Sequence, residues 1–200
     1  MTAMLSSYVR DTWHTPTDEG TTVLDASTGE PVARVSSTGV DVAGMVEHAR
    51  RVGGPGLREL TFHQRAAALK RLALYLRDRR DGLYEQSART GATTGDAMVD
   101  VDGGIGALFV YSSKGRRELP NDVLYVDGQP EPLGRGGTFV GQHVYTSRPG
   151  VAVFIDAFNF PVWGMLEKLA PAVLAGMPAI VKPASQTAYV TTTTLGFRYG

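Results

Sequence analysis

Two polar residues stand where they could do chemistry. Asn159 lies in "VFIDAFNFPVWGMLEKL" (Val153 to Leu169), and Lys182 lies in "PAIVKPA". An asparagine amide can donate N–H to an oxyanion that develops in a transition state. A lysine ammonium can donate to ribose hydroxyls or to phosphate. Each residue follows a short apolar run: "GVAVFI", which predicts a buried strand, and "PAIV", which predicts a second one. Between them Val162, Met165, Leu166, Leu169 and Val173 recur at helical spacing. Pro161 suits the first helical position. Pro171 predicts a kink or an early end, and Gly176 predicts the stop. Strand, helix and strand in about 30 residues make a βαβ unit with parallel strands. Ligands of open α/β sheets bind outside the carboxyl ends of the strands, which is where both polar residues fall. Spacing alone supports a second reading equally: Asn159 as a helix N-cap and Lys182 as an ordinary surface residue.

Other chemistry is excluded or weak. The 200 residues hold no cysteine, which removes disulfides, thiolate metal sites and thiol nucleophiles from them. His14, His48, His63 and His143 have no metal-ligand spacing. "GATTGDAMVDVDGGIG" (Gly91 to Gly106) is glycine-rich but lacks the Lys-Ser/Thr ending of a phosphate loop, so a helix junction is expected there. Lys+Arg and Asp+Glu are 20 each, a balance that favours neither nucleic acid nor an anionic membrane as partner. The start shows no signal peptide and no apolar run is long enough to span a bilayer. A soluble cytoplasmic protein is expected. With 42% hydrophobic residues, the chain can build one substantial core.

The elements that must position Asn159 and Lys182 are legible in outline. "TTVLDASTGEPVARVSS" (Thr21 to Ser37) predicts a hairpin around Thr-Gly. Val42, Met45, Val46, Ala49 and Val52 mark a helix face with Asp41 as N-cap, and Gly53, Gly54 and Pro55 are expected to stop it. The stretch Thr61 to Thr90 is the clearest helix. Thr61 and Gln64 fit a capping box, and Phe62, Ala66, Leu69, Leu72, Ala73 and Leu76 form its apolar stripe. Arg77, Arg79 and Arg80, interrupted by Asp78 and Asp81, read as a solvated helix end. "IGALFVYSSKGRREL" resumes a helical pattern, "LPNDVLYVDGQPEPLGRGGTFVG" reads mostly as loop, and "GTFVGQHVYTSRPGVAVFI" is strand-rich with a turn at Pro149-Gly150.

At Asn159-Phe160-Pro161 and Lys182-Pro183-Ala184 the chain resembles the aldehyde dehydrogenase superfamily, which carries these two motifs after successive strands. "SYVRDTW", "LTFHQRAAALK", "RELPND", "AFNFPVWGMLEKLAP" and "GMPAIVKPA" are similar to the dehydrogenase part of the bifunctional oxepin-CoA hydrolase/semialdehyde dehydrogenases of aerobic phenylacetate degradation. The resemblance implies an α/β chain: the N-terminal part of the aldehyde dehydrogenase fold, with a Rossmann-like dinucleotide-binding domain and a partial oligomerisation hairpin. It divides the chain into residues 1–135 (helices and N-terminal hairpin of the cofactor domain), 136–147 (oligomerisation arm) and 148–200 (start of the βαβ sheet), with the catalytic domain absent. It implies NADP as cofactor, with NAD as the alternative. The substrate would be a small aldehyde or CoA-linked semialdehyde, and the full-length protein would be a homo-oligomer. Asn159 would be the oxyanion-hole residue. Lys182, with Ala184 and Ser185 beside it, would meet the adenosine ribose. Ile155, Asp156, Ala157 and Phe158 would line the nicotinamide passage. Two other readings stay open: a non-catalytic dinucleotide-binding or subunit-interaction remnant, and an acyl-CoA reductase of the same superfamily. In "YVTTTTLGFRYG" the β-branched run from Val190 to Thr194 disfavours a helix where the family continues with one.

Overall fold

The computed structural model describes residues 2–194. Two small antiparallel hairpins come first, β1 (Ser7–Val9) with β2 (Thr12–His14) and β3 (Thr21–Leu24) with β4 (Pro31–Val35). The second is the hairpin expected around Thr-Gly. Helix α1 (Val42–His48) follows, and the Asp41 carboxylate accepts from Gly44 N as its N-cap. The chain does not stop at Gly53. It widens into a π-type turn (Ala49–Gly53) and continues as α2 (Gly54–Glu59). Pro55 falls in the first turn of α2.

Three helices form the core. α3 (Phe62–Arg77) opens with the expected capping box: Thr61 Oγ1 accepts from Gln64 N at 3.2 Å, and Gln64 Oε1 accepts from Thr61 N at 2.8 Å. Its stripe is buried at Phe62, Ala66, Leu69, Ala73 and Leu76. The helix breaks at Asp78-Arg79, and α4 (Arg80–Ala88) restarts it. α5 (Thr94–Arg117) swallows most of the glycine-rich stretch. Its own capping box, Thr93 with Asp96, starts it, so the junction shrinks to Gly91-Ala92-Thr93. α5 packs against α3 on one side and against α6 (Trp163–Leu174) on the other. The α5–α6 contact is close because α5 presents glycines there. A Cβ on Gly103 would stand 2.6 Å from the Trp163 ring, and one on Gly115 would stand 2.6 Å from Leu174 and 2.9 Å from Ala66.

The long segment read as loop contains β5 (Tyr125–Pro132), paired antiparallel with β6 (Val140–Tyr145). An irregularity between Asp127 and Glu131 absorbs Gly128 and Pro130. The expected arm is the β6 half of this ribbon. Phe139 and Tyr145 are 65% and 57% exposed on it. The last unit is β7 (Ala152–Ile155), α6 and β8 (Ala179–Lys182), with β7 and β8 parallel and Ile155 opposite Lys182. β7 is not the buried strand that its apolar run implied: Val153 and Ile155 alternate outward and are 57% and 77% exposed. Pro171 neither ends nor shortens α6, which runs on to Leu174. The missing bond would have gone to Glu167 O near the helix end, where other bonds close the last turn.

The β-branched tail is helical after all. In α7 (Ala188–Thr194) the hydroxyls of Thr192, Thr193 and Thr194 donate back to the carbonyls of Ala188, Tyr189 and Val190 at 2.8–2.9 Å, bonds that by themselves slightly weaken a helix. Burial of Ala188, Tyr189, Val190 and Thr191 outweighs their weak propensity. The remainder of that tail, 195–200, lies outside the described residues. Gly115→Val should lower stability by about 1–3 kcal/mol through overpacking. Gly106→Ala, where no heavy atom lies within 4 Å, should raise it by about 0.5–1 kcal/mol. Urea denaturation midpoints of the two variants check the pair.

Candidate functional site

Asn159 follows β7 by four residues and precedes α6 by four. It is exposed and, among the described residues, its side chain makes no hydrogen bond. It is not the N-cap of α6. That position belongs to Val162, which has no side chain able to cap. The cap comes from another helix. Asp100 of α5 is 2% exposed, and its carboxylate accepts from Trp163 N at 2.7 Å and from Val162 N at 3.2 Å. The first-turn amides of α6 are thereby satisfied from below, and the Asn159 amide is left unspent above.

A cleft of about 640 Å³ opens beside Asn159. Phe158, Asn159, Ser185, Gln186, Thr22 and Asp96 are among the residues that line it. So the structure brings three of the candidate residues together: Phe158, Asn159 and Ser185. Ser185 begins the short 3-10 turn after β8 and is exposed. Lys182 ends β8 and is exposed but does not line the cleft, and half-buried Ala184 lies between them. Ile155 and Ala157 are exposed outside the cleft lining. Asp156 departs from the expected passage lining: its side chain is 1% exposed and turns onto α6, where Lys168 Nζ donates to Oδ1 at 3.3 Å. Lys168 also donates to Gly164 O, one turn back. A buried carboxylate takes the nearest cation in preference to an open face.

Two residues missed in the sequence govern the site. Asp100 lies on the buried stripe of α5, between Ala97 and Val101, and Arg65 lies on the buried stripe of α3, beside Ala66. A charge on an apolar helical stripe is the signal that marks both. Arg65 is 0% exposed. Its Nε donates to Leu60 O at 2.9 Å and its Nη1 to Leu174 O, the end of α6, at 2.8 Å. Its guanidinium lies over the Phe62 ring at 4.9 Å. Burial lowers the Arg65 pKa from its ordinary value. Burial raises that of Asp100 above the usual 3.8, and the amides of Trp163 and Val162 pull it partly back. Among the described residues no group of His and acidic side chains could hold a metal ion, and no helix is long and apolar enough to cross a membrane.

A parallel strand pair linked through a helix, with free polar groups past both strand ends, is a Rossmann-like arrangement. The aldehyde dehydrogenase family model matches residues 13–196, and the chain belongs to that family. It is 44% identical over 187 residues to the 3,4-dehydroadipyl-CoA semialdehyde dehydrogenase of Aromatoleum evansii, an alignment covering 93% of this chain and 36% of that one. It is 28% identical over 173 residues to the 3,6-anhydro-alpha-L-galactose dehydrogenase of Vibrio sp. strain EJY3, covering 84% of this chain and 33% of the relative. Among solved structures, aldehyde dehydrogenase 21 of Physcomitrella patens superposes with a TM-score of 0.82 at 20% identity, over 97% of this chain and 39% of that one. The chain thus spans about a third of the length of the curated relatives it matches.

Asp100→Ala should cost about 1–3 kcal/mol, since two buried amides lose their acceptor. The pH dependence has a definite sign. The folded chain holds the Asp100 proton more tightly than the unfolded one, so this carboxyl's contribution to stability falls as pH rises from 3.8 through the raised folded value. Asp100→Asn removes that dependence. Urea denaturation of both proteins over this window should show the parent's stability, relative to the Asn variant, declining as pH rises.

Proposed function

We propose that this chain is the cofactor-side part of an aldehyde dehydrogenase that oxidises a CoA-linked semialdehyde to the acid, with NADP, in aerobic phenylacetate degradation. The observation that carries the reading is the unspent Asn159 amide, held past the end of β7 in the same cleft as Ser185. The relative at 44% identity, named for a CoA semialdehyde, supports the substrate class. A structural neighbour solved with NADP supports the cofactor.

In this reading the Asn159 amide donates to the aldehyde oxygen as a nucleophile adds to the carbonyl and the oxygen becomes anionic. Loss of one such donor costs roughly two to three orders of magnitude in rate. The described residues fit a dinucleotide. Ser185 offers an exposed hydroxyl, and Lys182 adds a cation one strand end away. Asp96, the acid in the cleft, is engaged by the hydroxyl and amide of Thr93 at 2.7 and 3.4 Å. NADP, when bound, accepts the hydride. Ser185 selects it, because a hydroxyl donates to a 2′-phosphate where a carboxylate would repel it. In this reading the nucleophile is a cysteine thiolate, as the family resemblance implies, and these 200 residues hold no cysteine to supply it.

Two outcomes follow. The 200-residue chain alone should give no NAD(P)-dependent aldehyde oxidation above background, and turnover that is lost on Asn159→Ala would contradict this. In a complete enzyme carrying these residues, steady-state kinetics should show NADP preferred over NAD by about one to two orders of magnitude in kcat/KM, with each tenfold equal to about 1.4 kcal/mol. Ser185→Glu should shift the ratio toward NAD. A parent that already prefers NAD, or a Glu variant that leaves the ratio unchanged, removes Ser185 from the ribose pocket.

A further inference from the structure

Helix α6 is met at both ends by buried charges that have no ionic side-chain partner among the described residues. At its amino end the Asp100 carboxylate takes the Val162 and Trp163 amides. At its carboxyl end Arg65 donates to Leu174 O. The last turn closes by Gly176 N donating to Val173 O and Met177 N to Ala172 O, with Gly176 at φ 76. Of the final carbonyls, Leu174 O is therefore the one left for a side chain. A helix presents positive charge at its amino end and negative charge at its carboxyl end, so each buried charge meets the matching pole. The two charges come from different helices, α5 and α3, which are packed against each other.

We propose that Asp100 and Arg65 form a two-ended clamp on α6, and that this clamp fixes the helix along its axis and so sets the height of the Asn159 turn above β7 and β8. They are positioning residues that act through α6. The consequence for catalysis rests on the reading of Asn159 as the oxyanion donor; the clamp itself does not. Each end lowers the cost of burying the other, because the two opposite charges attract across the length of the helix. Twelve residues separate the ends by about 18 Å.

Amide hydrogen exchange of the 200-residue chain, read by mass spectrometry at low micromolar concentration, tests the coupling. Arg65→Gln should speed exchange at Val162 and Trp163, at the far end of α6, by about three- to fivefold, as expected of unit charges this far apart at an effective dielectric near 20. Arg65→Lys, which keeps the charge, should restore most of the protection. In the reciprocal direction, Asp100→Asn should speed exchange at Ala175 to Met177. The core of α5 around Ile105 to Ser112 should keep the parent's rate throughout. The clamp is refuted if far-end exchange is unchanged in both directions, if Lys protects no better than Gln, or if every segment including the α5 core speeds by one common factor, which marks plain loss of stability. The reading of Asn159 fails by a different route: a complete enzyme whose turnover survives Asn159→Ala, whatever the exchange rates show.

Discussion

The buried carboxylate of Asp100 is the constraint on which the site depends. A helix begins with amides that lack an internal partner, and a local Ser, Thr, Asp or Asn commonly satisfies them. α6 has Val162 at that place and Pro161 before it, and Asp100 caps it from α5 instead. Burying this carboxylate is unfavourable and raises its pKa. Two amide donors at the positive end of a helix offset that cost. Because the cap is borrowed from a neighbouring helix, the start of α6 is tied to the core as well as to its own chain.

The close α5–α6 contact follows from the same need. Asp100 reaches the α6 amides only if the two helix backbones approach, and Gly103 and Gly104 remove the side chains that would hold them apart. Trp163 then lies against α5, and the chain leading into it must turn through Phe158 to Val162 just past β7. That turn carries Asn159 into the cleft with Ser185, which arrives from the end of β8. The link from glycine to helix packing to cap to exposed amide is continuous. Under the proposed function, this amide must stay fixed while charge develops beside it.

Much of this was legible in the residues. The βαβ unit, its parallel strands, the α3 capping box and the Thr21–Ser37 hairpin follow from periodicity and caps, and the family was marked by a resemblance at two motifs. What local reading could not supply came from tertiary context. α7 is helical because burial overrules β-branched propensity. β5 persists through Gly128 and Pro130 because the register shifts between Asp127 and Glu131 and takes both up. Asp156 faces Lys168 rather than a ligand passage because the nearest cation stands on α6. Asp100 and Arg65 sit on apolar stripes that were read for their hydrophobic members, and only the packed helices show what each charge meets.

The central claim is that a cap supplied by α5 holds the Asn159 turn in place. A crystal structure of the Asp100→Ala chain tests it most directly. The first turn of α6 should unwind or shift, and Asn159 should leave the cleft it shares with Ser185, while α3 and the body of α5 superpose on the parent. An Asn159 that keeps its place in the cleft, with Val162 and Trp163 still helical, would contradict the account.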